Sequence, residues 1–238
     1  KMEVLQTPPY TEEVWGFFIP ILIHKSMLYN EHMHQRFVIG VDEVGRGPIA
    51  GPVCVGAFII HDYSILKHAP HVLRDSKKLT PQKRNDWVKY LNNGKKKDKC
   101  SFAHTFVSAK MIDKIGISKA IKKALSSSLK KVQKEIIFNN NLDLENFYSN
   151  TTVLLDGGLR APKEYIPQQT IIEGDEKEPV IALASIIAKV ARDKYMEKIS
   201  DLYPKHDFST HKGYGTKAHY KCIQSHGRTV LHRHTFLD

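Results

Sequence analysis

A glycine-rich acidic segment between two apolar runs constrains this chain more than any other part of its sequence. Residues 37–41 are apolar and rich in β-branched side chains, which is typical of a buried strand, and residues 52–60 form a second such run. Asp42 and Glu43 follow the first run directly, and Gly45-Arg46-Gly47-Pro48 comes next. We therefore predict two neighbouring strands, the first of which delivers a pair of carboxylates at its end.

The carboxylate pair indicates a metal site. Two adjacent carboxylates at a buried strand end are costly unless a positive charge holds them there. Hard divalent cations such as Mg²⁺ take oxygen ligands and supply that charge. The glycines let the backbone approach a ligand closely, so that peptide N–H groups and Arg46 can bind phosphate or sugar oxygens. The alternative that the pair alone leaves open is a solvated acidic turn of a hairpin.

Two more aspartates follow apolar runs later in the chain. Residues 151–155 predict a strand that ends in Asp156, and residues 168–173 predict another that ends in Gly174-Asp175. An aspartate beside a glycine is common in ordinary turns, so either site alone carries little weight. Their position at two predicted strand ends makes Asp156 and Asp175 candidates for the same acidic site as Asp42 and Glu43.

Helices are predicted from capping residues and apolar spacing. Thr80-Pro81 and Pro179 each start a helix, the second of which is long and has small and apolar residues along one face. Apolar residues at helical spacing predict a further helix that is capped by Ser118. Residues 218–227 predict a helix that ends at a glycine, and the polar residues 139–150 are predicted to be a long loop.

The composition favours a polyanionic partner, most simply nucleic acid, because the formal net charge is +11. The three cysteines lack metal-binding or redox spacing and no signal peptide is visible, so we expect reduced thiols and a cytoplasmic location. Residues 14–23 are apolar, but they are too short to span a bilayer and contain Gly16 and Pro20, so no membrane association is expected. The C-terminal histidines do not form zinc-like pairs with cysteine.

Several blocks of this sequence resemble a type 2 ribonuclease H, and among those the bacterial ribonuclease HII form. The blocks are residues 42–48, Asp75-Ser76-Lys77-Lys78-Leu79, residues 184–193, His211-Lys212-Gly213-Tyr214-Gly215 and His232-Arg233-His234-Thr235-Phe236. The resemblance implies an α/β, ribonuclease H-like fold with a mixed central sheet flanked by helices and a small helical C-terminal region. It places the catalytic domain at residues 37–238 and leaves residues 1–36 as an N-terminal extension of unknown role. We expect a monomer, and the sequence indicates no protein partner.

The resemblance also implies an activity. Such an enzyme hydrolyses the RNA strand of RNA/DNA hybrids and cuts 5′ of single ribonucleotides embedded in duplex DNA. It leaves 3′-hydroxyl and 5′-phosphate ends and serves in ribonucleotide and RNA primer removal. The four acids Asp42, Glu43, Asp156 and Asp175 match the family's acidic positions, which hold two divalent ions, Mg²⁺ or Mn²⁺.

Further residues match the family's nucleic-acid contacts. The backbone of Gly45, Arg46 and Gly47 would read the 2′-hydroxyl, Tyr214 would stack on the deoxyribose that follows, and Lys77 and Lys78 would contact phosphates. Asp193 is a fifth acid, for which we expect an ion pair or a structural role.

Two alternatives stand beside this interpretation. A non-catalytic hybrid-binding module of the same fold would lack one of the acids or the Gly-Arg-Gly. Another nuclease of the superfamily, acting on DNA junctions or transposon ends, would lack the combination of Gly-Arg-Gly and a glycine-flanked tyrosine.

Overall fold

A computed structural model describes residues 37–237 of the chain. The predicted N-terminal extension, residues 1–36, lies outside the described residues. No helix within residues 37–237 has the length and apolar character needed to cross a lipid bilayer.

The centre of the molecule is a five-stranded mixed sheet in the order β3-β2-β1-β4-β5. The strands are β1 (Phe37–Val44), β2 (Val53–Ile60), β3 (Cys100–Val107), β4 (Thr151–Asp156) and β5 (Gln168–Ile171). The first three strands form an antiparallel meander, whereas β4 runs parallel to both β1 and β5. The carboxyl ends of β1, β4 and β5 therefore meet at one edge of the sheet.

Helices cover both faces of this sheet, which confirms the predicted α/β architecture. They are α1 (Ser64–Lys67), α2 (Pro81–Lys96), α3 (Ala109–Ile115), α4 (Ile117–Asn140), α5 (Leu144–Ser149), α6 (Gly174–Lys177), α7 (Pro179–Leu202), α8 (Phe208–His211) and α9 (Lys217–His226). Short 3₁₀ turns cover Pro204–His206 and His234–Phe236. The small C-terminal helices lie where the resemblance implied a helical region.

Most helix boundaries follow the predicted signals. The side chain of Thr80 accepts a hydrogen bond from the Lys83 N–H at the start of α2, and Pro179 is the first residue of α7. The prediction that Ser118 caps this helix is wrong by two residues, because α4 begins at Ile117 and its N-cap is Gly116. Glycine is favoured there because φ is +79°.

The prediction of a loop over residues 139–150 is also wrong in part, because α5 lies within it. The Asp143 side chain caps this helix by accepting a hydrogen bond from the Asn146 N–H at 2.7 Å. Phe147 is fully buried against the core and holds the short helix in place. A single buried aromatic in a polar stretch was too weak a pattern to predict a helix.

The two faces of the sheet carry separate apolar clusters. Residues Ile39, Val41, Val55 and Ala57 pack towards α4, whereas Phe58 and Ile60 pack on the side of α7. Gly40 and Gly56 bring α7 unusually close, because a Cβ at these positions would lie 2.2 Å from the Val180 carbonyl carbon and 2.3 Å from the Ala184 oxygen. The backbone of α7 thus contacts the sheet directly, beside the strand end that carries Asp42.

Candidate active site

The strand register brings Asp42 and Asp156 side by side. Val41 of β1 pairs with Leu155 of β4 in a parallel ladder, so the next residues along both strands are level. Asp42 is 5% exposed and Glu43 beside it is half-buried. The predicted placement of three acids at strand ends is what the structure has: Asp42 and Glu43 near the end of β1 and Asp156 as the last residue of β4.

Asp175 reaches the same region by a different route from the one predicted. The strand β5 ends at Ile171 rather than running to residue 173, and Asp175 lies in the first turn of α6. The Gly174 N–H donates to Asp156 Oδ1 at 2.7 Å, which ties the start of α6 to the end of β4. A Cβ on Gly174 would lie 2.7 Å from the Ile181 side chain, so the backbone here is tightly packed.

Burial and like charge shift the titration of two acids at this edge. Burial raises the pKa of Asp42 to about 8, the charges of Asp156 and Glu43 add to this, and a hydrogen bond from Ser185 opposes it. Burial likewise raises the pKa of Glu43, with the Arg46 guanidinium opposing the effect. The mutual influence of these carboxylates places them within electrostatic range of one another.

Asp175 belongs to the same acidic group. Its pKa is raised to about 6 by burial first and then by the charges of Asp75 and Asp156, while Lys77 opposes the shift. Lys77 Nζ lies 3.7 Å from Asp175 Oδ2. Burial alone would lower the pKa of Lys77, but the carboxylates around it, led by Asp175 and Asp75, outweigh that effect and raise it.

The donor set suits hard divalent cations. The site offers only oxygen ligands, which come from Asp42, Glu43, Asp156 and Asp175. A divalent cation would reduce the electrostatic repulsion between these carboxylates. Within residues 37–237, no three His, Cys, Asp or Glu side chains are already gathered around one point as metal ligands. One oxygen each of Asp42 and Asp156 is instead bonded to a backbone N–H. These carboxylates fit the ions by chemistry.

Ser185 and Ser76 are site residues that the sequence did not assign. The hydroxyl of Ser185, on α7, hydrogen-bonds to Asp42 and lies 2.8 Å from the hydroxyl of Ser76. Both serines are 1% exposed. The burial of Ser185 makes it part of the packing of α7, and its hydroxyl also bonds to the most buried carboxylate of the site. The close approach of α7 to the sheet is what makes this contact possible.

The Gly-Arg-Gly segment lies beside the acids and is open to solvent. The Arg46 side chain is 59% exposed, and its Nη1 lies 3.5 Å from Glu43 Oε1. Gly45 has a φ of +89°, and a Cβ there would lie 2.2 Å from Arg192 Nε. A Cβ on Gly47, by contrast, would meet nothing within 4 Å. Gly45 is therefore required by the fold, whereas Gly47 leaves free space in which a ligand can approach the backbone.

The two lysines predicted to bind phosphates differ in their surroundings. Lys77 is exposed above the acids, next to Asp175. Lys78 forms an exposed ion pair with Glu176, whose Oε1 lies 2.6 Å from its Nζ. Lys78 must leave this pair to contact a phosphate, and an exposed pair of this kind is worth little.

Tyr214 is 44% exposed, and its ring lies 5.9 Å from the Arg192 guanidinium carbon. The glycine before it, Gly213, is needed for close packing rather than for exposing the ring. Gly213 has a φ of +84°, and a Cβ there would lie 2.3 Å from the Ala50 carbonyl oxygen. The tyrosine is thus held against the segment that follows Gly-Arg-Gly.

The C-terminal histidines form a buried cluster behind Tyr214. His219 Nδ1 donates to the Tyr214 carbonyl at 2.8 Å, and His219 Nε2 lies 3.1 Å from His232 Nε2. The Thr229 N–H donates to His232 Nδ1, so that the remaining nitrogen of His232 carries the proton that it donates to His219. Burial lowers the pKa of both histidines to about 4, which is consistent with neutral rings.

Asp193 is paired rather than free. Its Oδ1 lies 2.7 Å from Lys189 Nζ, and its Oδ2 lies 3.6 Å from Arg84 Nη2. This arrangement agrees with the expected ion pair.

Solved structures with the same architecture define the class of this protein. Ribonuclease H2 from Pyrococcus horikoshii OT3 superposes with a TM-score of 0.55 at 25% identity. The superposition covers 84% of this chain and 93% of that protein. Bst-RNase HIII in complex with Mn²⁺ superposes over 84% of this chain and 66% of its own, with a TM-score of 0.59 at 18% identity, which supports the fold alone. The fold is that of the type 2 ribonucleases H.

The family follows from the sequence comparisons. The family model for ribonuclease HII matches residues 39–238. A ribonuclease HII from Caldicellulosiruptor bescii is 38% identical over 202 residues, which cover 85% of this chain and 87% of that protein. The chain belongs to the ribonuclease HII family and is a ribonuclease H, an endoribonuclease that acts on RNA/DNA hybrids.

Proposed function

We propose that this ribonuclease H also cuts duplex DNA 5′ of a single embedded ribonucleotide, and that it uses two divalent ions, Mg²⁺ or Mn²⁺, to do so. The products would carry 3′-hydroxyl and 5′-phosphate ends. This activity fits roles in the removal of misincorporated ribonucleotides and of RNA primers. The substrates would be RNA/DNA hybrids and ribonucleotide-containing duplex DNA.

The observation that carries the proposal is the level placement of Asp42 and Asp156 at adjacent strand ends, with Glu43 and Asp175 within electrostatic range. Such a group of buried acids destabilises the fold unless a positive charge compensates it. We assign Asp42, Glu43, Asp156 and Asp175 as the ligands of the ions. Divalent ions held there would activate the attacking water and neutralise the leaving 3′ oxygen.

The chain's own groups supply substrate recognition. The free backbone at Gly47 can approach a ribose closely, and peptide N–H groups there can donate to the oxygen of a 2′-hydroxyl. Lys77, which stands exposed beside Asp175, can hold a phosphate of the cleaved strand near the acids. The exposed ring of Tyr214 can stack on the next sugar.

The test is cleavage of three labelled duplexes, one with a single ribonucleotide, one a continuous RNA/DNA hybrid and one all DNA, with Mg²⁺ or Mn²⁺. We expect one cut directly 5′ of the ribonucleotide, cleavage of the hybrid and none of the all-DNA duplex. Asp156→Asn should abolish turnover and leave hybrid binding largely intact. Asp201→Asn removes the same charge from an exposed site on α7 and should behave as the wild type.

Each other outcome identifies a different error. Cleavage of the hybrid without a cut at the single ribonucleotide would keep the family activity and reject the proposed cleavage of duplex DNA at an embedded ribonucleotide. Full activity of Asp156→Asn would reject the proposed ligand set. Tight binding of both ribonucleotide-containing duplexes without any cleavage would favour a non-catalytic hybrid-binding module.

A further inference from the structure

The loop that follows β1 is held from behind by a buried arginine near the C-terminus. Arg233 is fully buried and donates three hydrogen bonds to backbone carbonyls of this loop. Its Nη2 lies 2.7 Å from the Gly45 oxygen, its Nη1 2.9 Å from the Arg46 oxygen and its Nε 3.0 Å from the Gly51 oxygen. One side chain thus fixes both ends of the Gly-Arg-Gly loop, defined here as residues 45–52.

Fixing these carbonyls also aims the amides. The carbonyl of Gly45 and the N–H of Arg46 belong to one planar trans peptide unit and point in opposite directions. The same holds for the carbonyl of Arg46 and the N–H of Gly47. Because Arg233 holds both carbonyls, both N–H groups face away from it. Neither has a hydrogen-bond partner within residues 37–237, and the space beside Gly47 is open.

The segment that carries Arg233 also reaches the loop of Tyr214. We define the C-terminal strap as residues 229–236. Its backbone brackets Ala50, because the Gly51 N–H donates to Leu231 and the Arg233 N–H donates to Ile49, each at 2.8 Å. The Ala50 N–H in turn donates to the Gly213 carbonyl at 3.1 Å.

A side chain of the same strap holds the tyrosine from the other side. His232 of the strap bonds to His219, which donates to the Tyr214 carbonyl. The strap therefore contacts the Gly-Arg-Gly loop directly and is linked to the loop of Tyr214 through His219.

We propose that the C-terminal strap determines ribose specificity, with Arg233 as a positioning residue that aims the Arg46 and Gly47 amides at a 2′-hydroxyl. The inference rests on the proposed recognition of an embedded ribonucleotide. Arg233 is buried and touches no substrate, so its effect passes through the loop. The geometry requires arginine, because a lysine ammonium has no planar fork that can bond three separate carbonyls.

The strap offers a matched control at its outer end. Asp113 on α3 accepts hydrogen bonds from the His234 N–H, the Thr235 N–H and the Thr235 hydroxyl, at 2.8–3.1 Å. Asp113→Ala therefore removes three bonds that anchor the strap and leaves the three bonds of Arg233 in place. Arg233→Lys keeps the positive charge but cannot maintain the bonds to all three carbonyls of the loop.

The experiment measures binding without turnover, in proteins that all carry Asp156→Asn. Dissociation constants are compared for a duplex with one ribonucleotide and for the same duplex as all DNA. We expect Arg233→Lys to lower the ratio of the two constants about tenfold, as the loss of a well-placed hydrogen bond to the 2′-hydroxyl does. Asp113→Ala should keep the wild-type ratio, because the three bonds from Arg233 to the loop remain.

A preserved ratio in Arg233→Lys, or an equal loss in both variants, would overturn the inference. If the Asp156→Asn protein with no further change fails to distinguish the two duplexes, the proposed recognition of an embedded ribonucleotide is wrong. The inference about Arg233 then fails with it.

A second variant tests the link between the strap and the loop of Tyr214. This test does not depend on whether Arg233→Lys folds. His232→Gln leaves the bonds of Arg233 in place and breaks the link to the tyrosine loop. We expect it to retain discrimination against all DNA, and to bind the duplex with one ribonucleotide, in which a deoxyribose follows the ribose, more weakly while binding the continuous hybrid as before. Equal effects on the two duplexes would remove the tyrosine loop from the proposal.

Discussion

The pH dependence of divalent-ion binding follows from the burial of Asp42. Its pKa is raised to about 8, first by burial and then by the charges of Asp156 and Glu43. At pH 7 this carboxyl is mostly protonated in the protein without ions, and an ion that binds it must displace the proton. The cost is about 1 kcal/mol at pH 7 and about 3 kcal/mol at pH 6, since one pKa unit corresponds to about 1.36 kcal/mol.

Mn²⁺ affinity should therefore rise about tenfold per pH unit between pH 6 and 8 and level off above pH 8. Asp175, with a pKa of about 6, should steepen the dependence only below pH 6. Isothermal titration calorimetry in buffers of different ionisation enthalpy measures both the affinity and the protons released. We expect about one proton released at pH 7 and almost none at pH 9.

Ser185→Ala supplies a directional check on this reasoning. The Ser185 hydroxyl favours the ionised form of Asp42, so its removal should raise the pKa of Asp42 further and move the affinity curve to higher pH. Asp42→Asn should remove the proton release altogether. An affinity that is constant from pH 6 to 8, or a Ser185→Ala curve displaced to lower pH, would refute the argument.

Three further predictions concern the scaffold, and urea unfolding measures each. Gly56→Ala should destabilise the protein by about 1–3 kcal/mol, because the new methyl meets the backbone of α7; wild-type stability would contradict the direct contact. The lowered pKa of His219 and His232 means that the folded state binds fewer protons than the unfolded state, so stability should be lost as the pH falls from about 6.5 to about 4. His219→Gln should weaken that loss, and an identical pH profile would exclude this residue as its source. Asp193→Asn should cost about 1–3 kcal/mol by leaving its two basic partners unpaired, while Mn²⁺ affinity stays unchanged; a large loss of affinity would make it a ligand.

The acids at strand ends were predictable because two simple patterns coincide there. A run of β-branched residues marks a buried strand, and a carboxylate directly after it has few structural reasons to be present. Asp42, Glu43 and Asp156 follow this rule. Asp175 does not, because the chain leaves β5 at Ile171 and re-enters the site through a short helix. The periodicity of so short a strand cannot mark its last residue, so only the neighbourhood of Asp175 was predictable.

The glycines illustrate a second limit. The glycine before Tyr214 has a structural reason, because the Ala50 carbonyl lies where a Cβ of Gly213 would be. Likewise Gly45 accommodates Arg192 rather than a ligand, and of the two glycines beside Arg46 it is Gly47 that faces open space. A glycine indicates that something comes close, and the identity of the neighbour depends on contacts between residues far apart in the chain.

Arg233 shows why the supports of a site are harder to predict than its acids. Its three bonds go to backbone carbonyls, which every residue carries, so no partner side chain identifies the contact in the sequence. A cluster of carboxylates can be predicted from residue type alone. An arginine that orients peptide units cannot, because its role depends on which part of the folded chain passes beside it. Recognition of a sugar through backbone amides therefore requires buried donors behind the loop. The residues that set specificity in this enzyme should accordingly be sought among fully buried polar side chains as well as on the exposed surface of the cleft.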